Sequence, residues 1–96
     1  MTQQVTVTTD AQIALKPLIE AALRAELRML GLSLQRTSQR LQEFEAQYGL
    51  TSDEFEHRFN TGEIEESLDF IEWAGEIKTA RLLEAQRQAL QGVQLT

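Results

Sequence analysis

The single histidine, His57, is the side chain best suited to metal binding or proton transfer at neutral pH. Its acidic neighbour Glu56 is adjacent in the sequence, and adjacent side chains of a helix point in different directions. The pair is therefore weak as a metal or acid–base site. Glu54 and Arg58 are four residues apart and instead predict an ion pair on a helix surface. We expect neither a metal ion nor catalysis at His57.

A cluster of carboxylates follows at the predicted start of a later helix, and carboxylates can bind calcium. The cluster consists of Glu63, Glu65, Glu66 and Asp69. It lacks the ligand spacing and the turn glycine of an EF-hand loop. Two interpretations remain open. The acids are favoured at a helix N-terminus by the helix dipole, or they form a docking surface for a basic protein.

Most of the aromatic side chains fall in one short stretch, which contains Phe55, Phe59, Phe70 and Trp73. Their helical spacing predicts mutual contacts in a core. Trp73 is also a candidate interface anchor, because tryptophan is enriched at binding hot spots. Phe55, Phe59 and Trp73 therefore join the four acids as candidate docking residues.

Arginines recur along the first half of the chain, at positions that could follow a phosphate backbone: Arg24, Arg28, Arg36 and Arg40. Glutamates interrupt this face, and no aromatic residues alternate with it. Nucleic-acid binding is therefore the least favoured of the binding functions.

The sequence contains no phosphate-binding glycine loop, nucleophile elbow or Cys/His pair. It also has no cysteine, which excludes disulfides and thiolate metal sites. We therefore expect a non-enzymatic protein without a cofactor. Because 96 residues bury only a modest core, self-association or a partner is the expected source of further stability.

Charge is distributed unevenly along the chain, whose net charge is -6. Residues 43–76 contain eleven acidic side chains and one basic side chain, whereas residues 11–40 contain five basic and two acidic ones. An acidic half repels nucleic acid and suits a basic protein surface. A solvated helix face that keeps the protein soluble is the other interpretation.

No apolar run approaches the roughly 18 to 20 residues that span a bilayer. The first ten residues are polar and lack basic side chains, unlike a secretory signal. We expect a cytoplasmic protein that does not contact membranes.

An apolar seam dominates the long first helix, which is predicted to begin near Lys16 because Pro17 suits a first turn. Its positions are spaced four and three residues apart in alternation, with Thr37 as the polar exception. They are Leu23, Leu27, Leu30, Leu34, Leu41, Phe44 and Tyr48. Ile19, Ala22 and Leu32 are expected to widen the seam.

Capping signals divide the remainder of the chain. Gly49 is expected to end the first helix, and Thr51 with Glu54 has the spacing of a capping box that begins a short second helix. A third helix is predicted from Ile64 or Ser67 to about Leu90. Residues 1–9, with Val5 and Val7 alternating with threonines, are expected to form an extended arm, residues 10–92 a helical domain, and residues 93–96 a frayed tail.

The sequence thus predicts an all-α fold of a long, a short and a long helix in an antiparallel hairpin. Two helices cannot cover their own apolar faces well, so we expect a homodimeric four-helix bundle joined along the seam. Heptads leave parallel and antiparallel pairing open.

Four short motifs follow one another between Arg40 and Glu84. They read F-E-x-x-Y-G from Phe44, S-x-E-F from Ser52, F-x-x-G-E from Phe59 and D-x-x-E-W from Asp69. The pattern resembles small helical proteins of bacteria and archaea, among them suspected TumA-like antitoxin components. The N-terminal third departs from the DNA-binding arms that many antitoxins carry.

The resemblance implies that the acidic helices mask a basic, nuclease-like protein encoded nearby, with Phe55, Phe59 and Trp73 beside the contact. The expected function is therefore a protein-interaction module, and an antitoxin-like neutraliser in particular. A self-associating scaffold is the alternative, followed by a nucleic-acid-binding regulator.

Overall fold

The computed structural model describes residues 3–9 and 14–95, which form three helices and two short strands. In chain order these are β1 (Gln3–Val5), α1 (Leu15–Tyr48), α2 (Ser52–Asn60), α3 (Leu68–Gln91) and β2 (Val93–Leu95). The predicted order of a long, a short and a long helix is confirmed. Asp10, where the helical domain was expected to begin, and the chain ends at residues 1–2 and 96 lie outside the described residues.

Helix α1 begins one residue before the predicted start and ends at the predicted glycine. Pro17 lies in its first turn, where the missing amide breaks no intrahelical hydrogen bond. Gly49 has a φ of 68°, and its amide donates to the Glu45 carbonyl at 2.9 Å. Glycine adopts this left-handed conformation without the steric cost that a Cβ atom would add.

Side-chain caps begin the other two helices. The Thr51 hydroxyl accepts a hydrogen bond from the Glu54 amide at 3.1 Å, as the capping signal predicted. The Glu45 carboxylate accepts another from the Ser52 amide at 2.7 Å. The Ser67 hydroxyl caps α3 by accepting from the Phe70 amide at 3.1 Å, so this helix begins at the later of its two predicted starts.

Helix α3 packs along α1 in the opposite direction, which forms the predicted hairpin. Tyr48 contacts Phe70, whereas Leu30, five turns earlier in α1, lines a groove with Leu90. The molecule is elongated, with extents of 60 × 22 × 18 Å. Its radius of gyration of 18.7 Å exceeds the value of about 13 Å for a compact domain of this length.

The core lies where the three helices meet. Phe44, Phe55, Trp73 and Ile77 form one buried cluster, and Leu30 is the only other buried apolar residue in the described part of the chain. We call residues 37–77 the closed end of the hairpin. The open end consists of residues 15–36 and 78–91 together with the two strands.

The chain ends differ from the all-α expectation. Strands β1 and β2 pair in parallel, with Gln3 opposite Val93 and Val5 opposite Leu95. The Gln3 amide donates to the Gly92 carbonyl at 3.0 Å. The expectation of a frayed tail is therefore wrong for Val93–Leu95, because the N-terminal segment supplies the backbone partners that a lone strand lacks.

Candidate protein-binding surfaces

A stack of aromatic rings fills the closed end. The Phe55 and Trp73 rings are parallel to within 2°, with centroids 3.9 Å apart, and the Phe44 ring stacks with Trp73 at a centroid distance of 5.5 Å. The Trp73 indole N–H donates to the Ser52 hydroxyl at 3.0 Å, which satisfies its buried polar atom. The stack therefore ties all three helices together.

The burial of this stack corrects part of the predicted docking surface. Phe55 and Trp73 have no exposed surface, so they cannot contact a partner while the hairpin is folded. Phe59 is half-buried and stacks on Phe55 with a centroid distance of 5.3 Å. The expectation of mutual core contacts holds for these residues.

The predicted acidic cluster is divided by the structure. Glu63, Glu65 and Glu66 are exposed in the segment between α2 and α3, and none of them forms an ion pair with another described residue. Asp69 is half-buried in the first turn of α3. The three glutamates remain available to a partner, whereas Asp69 makes contacts within the chain.

Asp69 anchors α3 to the end of α1. Its carboxylate accepts hydrogen bonds from the Tyr48 hydroxyl and, at 3.5 Å, from the Gln47 side chain. The hydrogen bond to Asp69 raises the pKa of Tyr48, because ionised tyrosine would lose that bond and repel the carboxylate. Asp69 thus positions the start of α3 and, with it, the exposed residues that follow.

Two apolar side chains project from this acidic segment. Leu68 is 82% exposed and Ile71 is 52% exposed, and they lie on one face of the first turn of α3. Glu65 and Glu66 lie just before Ser67, the residue that precedes Leu68, and Glu72 follows Ile71. We call this group of five residues the acidic knob: Glu65, Glu66, Leu68, Ile71 and Glu72. The helical spacing of Leu68 and Ile71 is that of an apolar stripe, and spacing alone does not show that these two side chains are exposed.

The predicted dimer seam is covered largely by α3 of the same chain. Leu30 and Phe44 are buried, whereas Leu23, Leu27, Leu34 and Leu41 are half-buried. Tyr48 is 36% exposed, and its ring packs against Phe70 and Trp73. Thr37, the polar exception, is also buried. The seam therefore builds the hairpin itself, which leaves little of it for a second chain.

A different apolar face of α1 remains exposed at the open end. Its large residues are Leu18, Met29 and Leu32, which are 57%, 62% and 63% exposed. Ala22 and Ala25 lie between them at the same alternating spacing. Leu32 was expected to widen the seam, but it belongs to this second face. We call these five residues the outer stripe.

His57 is exposed in the last turn of α2. Glu54 and His57 have the Glu-x-x-His spacing of metal-binding helices, but Glu54 bonds Arg58 at 2.6 Å, as the sequence predicted. Among residues 3–9 and 14–95, no group of three or more histidine or carboxylate side chains is placed to bind a metal ion.

Arg40 makes contacts within the hairpin. Its guanidinium bonds Glu72 of α3 at 2.8 Å and Glu43 at 3.3 Å, and lies 4.5 Å from the centre of the Phe44 ring. These carboxylates raise the pKa of Arg40. Arg40, which lies at the closed end, is therefore neutralised by its own chain, and this weakens the arginine face as a phosphate-binding surface.

Comparison with known proteins assigns no family: no protein-family model, curated protein or solved structure matches the chain. In the described part of the chain, no helix is long and apolar enough to cross a membrane.

Proposed function

We propose that this chain is a non-enzymatic binding module whose acidic knob docks onto a basic surface of another protein. The observation that carries the proposal is the exposure of Leu68, the most exposed large apolar residue described, close to Glu65 and Glu66, which form no ion pair with another described residue. Leu68 and Ile71 adjoin on one face of α3, and contiguous exposed apolar side chains rimmed by polar residues are typical of interaction sites.

The two components of the knob have different roles in binding. Burial of Leu68 and Ile71 in a pocket of the partner supplies affinity, as apolar anchors do at the centre of an interface. Glu65 and Glu66 supply orientation and faster association with a basic surface. Together they favour a partner with an apolar pocket rimmed by lysine or arginine.

The aromatic stack gives this knob a rigid base. Phe70 contacts both Tyr48 and Phe55, so the first turn of α3 is fixed on two sides. A preorganised contact loses less conformational entropy on binding than a flexible one. Buried Phe55 and Trp73 would then support binding indirectly.

The resemblance to suspected TumA-like antitoxin components makes the proposal more specific. On that basis the partner is a basic, nuclease-like protein encoded nearby, and the knob neutralises it by covering its active surface. The net charge of -6 and the exposed carboxylates of Glu65 and Glu66 support an electrostatic contribution to such masking.

Self-association is the second candidate function, and the exposed outer stripe favours it. Nucleic-acid binding has less support, because residues 43–76 carry eleven acids and one base. A DNA mobility shift that weakens steeply with salt would restore it.

The decisive experiment is isothermal titration of the purified chain against the basic protein encoded next to its gene. We expect a complex of defined stoichiometry that weakens with added salt. The double variant Leu68→Ser/Ile71→Ser is expected to bind at least about tenfold more weakly, since two anchors are lost. Absence of binding by the wild-type chain overturns the proposal for this partner.

Leu82→Ser is the matched control. Leu82 lies on the same helix, is 59% exposed and is about 21 Å from Leu68 along the helix axis. We expect this variant to bind as the wild type does. Equal weakening by the knob and control substitutions would locate the contact elsewhere.

A further inference from the structure

The order of large and small side chains along the outer stripe is nearly symmetric, and this symmetry indicates what kind of surface could cover it. Leu18, Ala22, Ala25, Met29 and Leu32 alternate at spacings of four and three residues, the pattern of a coiled-coil seam. Large side chains stand at both ends and alanines stand at the centre. Because this order is similar when read in either direction, the stripe is complementary to a reversed copy of itself.

We propose that a second copy of this chain docks antiparallel on the outer stripe. In an antiparallel pair the residue numbers rise along one helix as they fall along the other. Two residues that face each other across the interface therefore have numbers with a constant sum, which is about 47 here. Met29 then faces Leu18 of the partner subunit, and Ala25 faces Ala22 of the partner subunit. Leu32 lies at the end of the paired stretch, opposite a half-buried residue outside the stripe, Leu15 of the partner subunit. The alanines let the two helices approach closely at the centre, and the larger side chains fill the space toward each end.

The poor core of the open end supports a second copy as the occupant. Among residues 3–9 and 14–95, four of the five buried apolar residues belong to the closed-end cluster, and Leu30 is the fifth. The paired stretch, residues 15–32, is about 27 Å long, enough for several layers of contacts. A second α1 would supply the apolar cover that α3 does not provide on this face.

Charge favours the antiparallel arrangement over the parallel one. The closed end holds most of the acidic side chains, with eleven acids and one base in residues 43–76. Parallel pairing would place two such ends side by side, where they repel. Antiparallel pairing centred near residue 23 places them at opposite ends of the dimer. It also leaves both acidic knobs free, so this inference does not depend on the proposed function.

The first test is the solution mass of the wild type and of two matched variants by sedimentation equilibrium. We expect the wild type at twice the 10.9 kDa chain mass. Met29→Glu is expected to be monomeric and Leu82→Glu dimeric, although both residues have similar exposure. A monomeric wild type, or a dimer that Met29→Glu leaves intact, overturns the proposal.

Disulfide cross-linking tests the register, because the chain has no cysteine of its own. A mixture of Leu18→Cys and Met29→Cys chains should form a mixed disulfide. Neither variant should cross-link with itself, since its two copies would be offset by about 16 Å, beyond disulfide reach. Self-linked Leu18→Cys indicates a parallel pair and contradicts the proposed geometry.

The knob variant Leu68→Ser/Ile71→Ser separates this inference from the proposed function. It is expected to remain dimeric while losing the basic partner. A wild-type dimer that binds no basic protein would leave the present inference standing and remove the other. Monomeric chains that still bind the basic protein would overturn the present inference and leave the proposed function standing.

Discussion

The closed and open ends of one hairpin are stabilised in different ways. At the closed end three helices converge on stacked aromatic rings, and Trp73 and Phe55 have no exposed surface. At the open end two helices lie side by side with Leu30 as their one buried apolar residue. A third element encloses a core, whereas two helices leave part of each apolar face in water. The closed end therefore encloses most of the core, whereas the open end leaves much of its apolar surface exposed.

The largest effect should follow from truncating the aromatic stack. Phe55→Ala removes a fully buried ring, and we expect it to lower the free energy of unfolding by about 3–5 kcal/mol. Urea denaturation followed by circular dichroism and by Trp73 fluorescence measures the loss. A loss below about 1 kcal/mol would show that the stack is not the main source of stability.

A smaller effect is expected from the equivalent truncation at the open end. Leu30→Ala should cost about 2 kcal/mol, the lower end for buried leucine, because the open groove beside it can relax. The same urea denaturation compares it with Phe55→Ala. If Leu30→Ala costs as much as the aromatic truncation, the two ends do not differ in the way described.

The helix caps at the closed end should contribute less to the free energy of unfolding than either of these buried side chains. Thr51→Ala removes the acceptor for the Glu54 amide, and we expect a loss of about 1 kcal/mol. Thr51→Ser retains the acceptor and serves as the control in thermal denaturation. Equal destabilisation by both variants would point to a role for the threonine methyl group instead of the cap.

Acid should weaken the contact between α2 and α3. Arg81 makes two hydrogen bonds to Glu56 across these helices, and they lower the pKa of Glu56 below its ordinary value of 4.5. A depressed pKa contributes stability above 4.5, which is lost as pH falls through the folded-state pKa. We expect Glu56→Gln to flatten the dependence of stability on pH below 4.5. An unchanged profile would exclude this pair as a cause of acid sensitivity.

The smallest effect is expected at the paired strands. Gln3→Pro removes the amide that donates to Gly92, and we expect a loss of about 0.5 kcal/mol, at the low end for one hydrogen bond. Hydrogen exchange at the amides of Val93–Leu95 should accelerate, while exchange at the closed end should not. Faster exchange throughout the chain would show that the strands stabilise the whole hairpin.

Local signals in the sequence predicted the helices well. Gly49, Thr51 and Ser67 lie at helix ends where backbone groups need a cap, and each is found there. These predictions succeed because a cap depends on residues within one or two turns. The strand pairing was missed because β1 and β2 lie at opposite ends of the chain, beyond any local pattern.

The candidate surfaces could be predicted only in part. The acidic segment was identified from composition, but the helical spacing of Leu68 and Ile71 does not reveal that both side chains are exposed. Phe55 and Trp73 were predicted both as docking residues and as core residues. Their complete burial shows that they belong to the core. Spacing identifies which residues share a face, but not what covers that face.

Helix α1 shows this division most clearly. The sequence by itself determined that α1 is one long helix, because its apolar period, Pro17 and Gly49 act locally. It carries two apolar faces with the same alternation of four and three residues. Only the tertiary structure decided that α3 covers the face containing Leu30 and Phe44 and leaves Met29 in water, because burial depends on where a neighbouring helix packs.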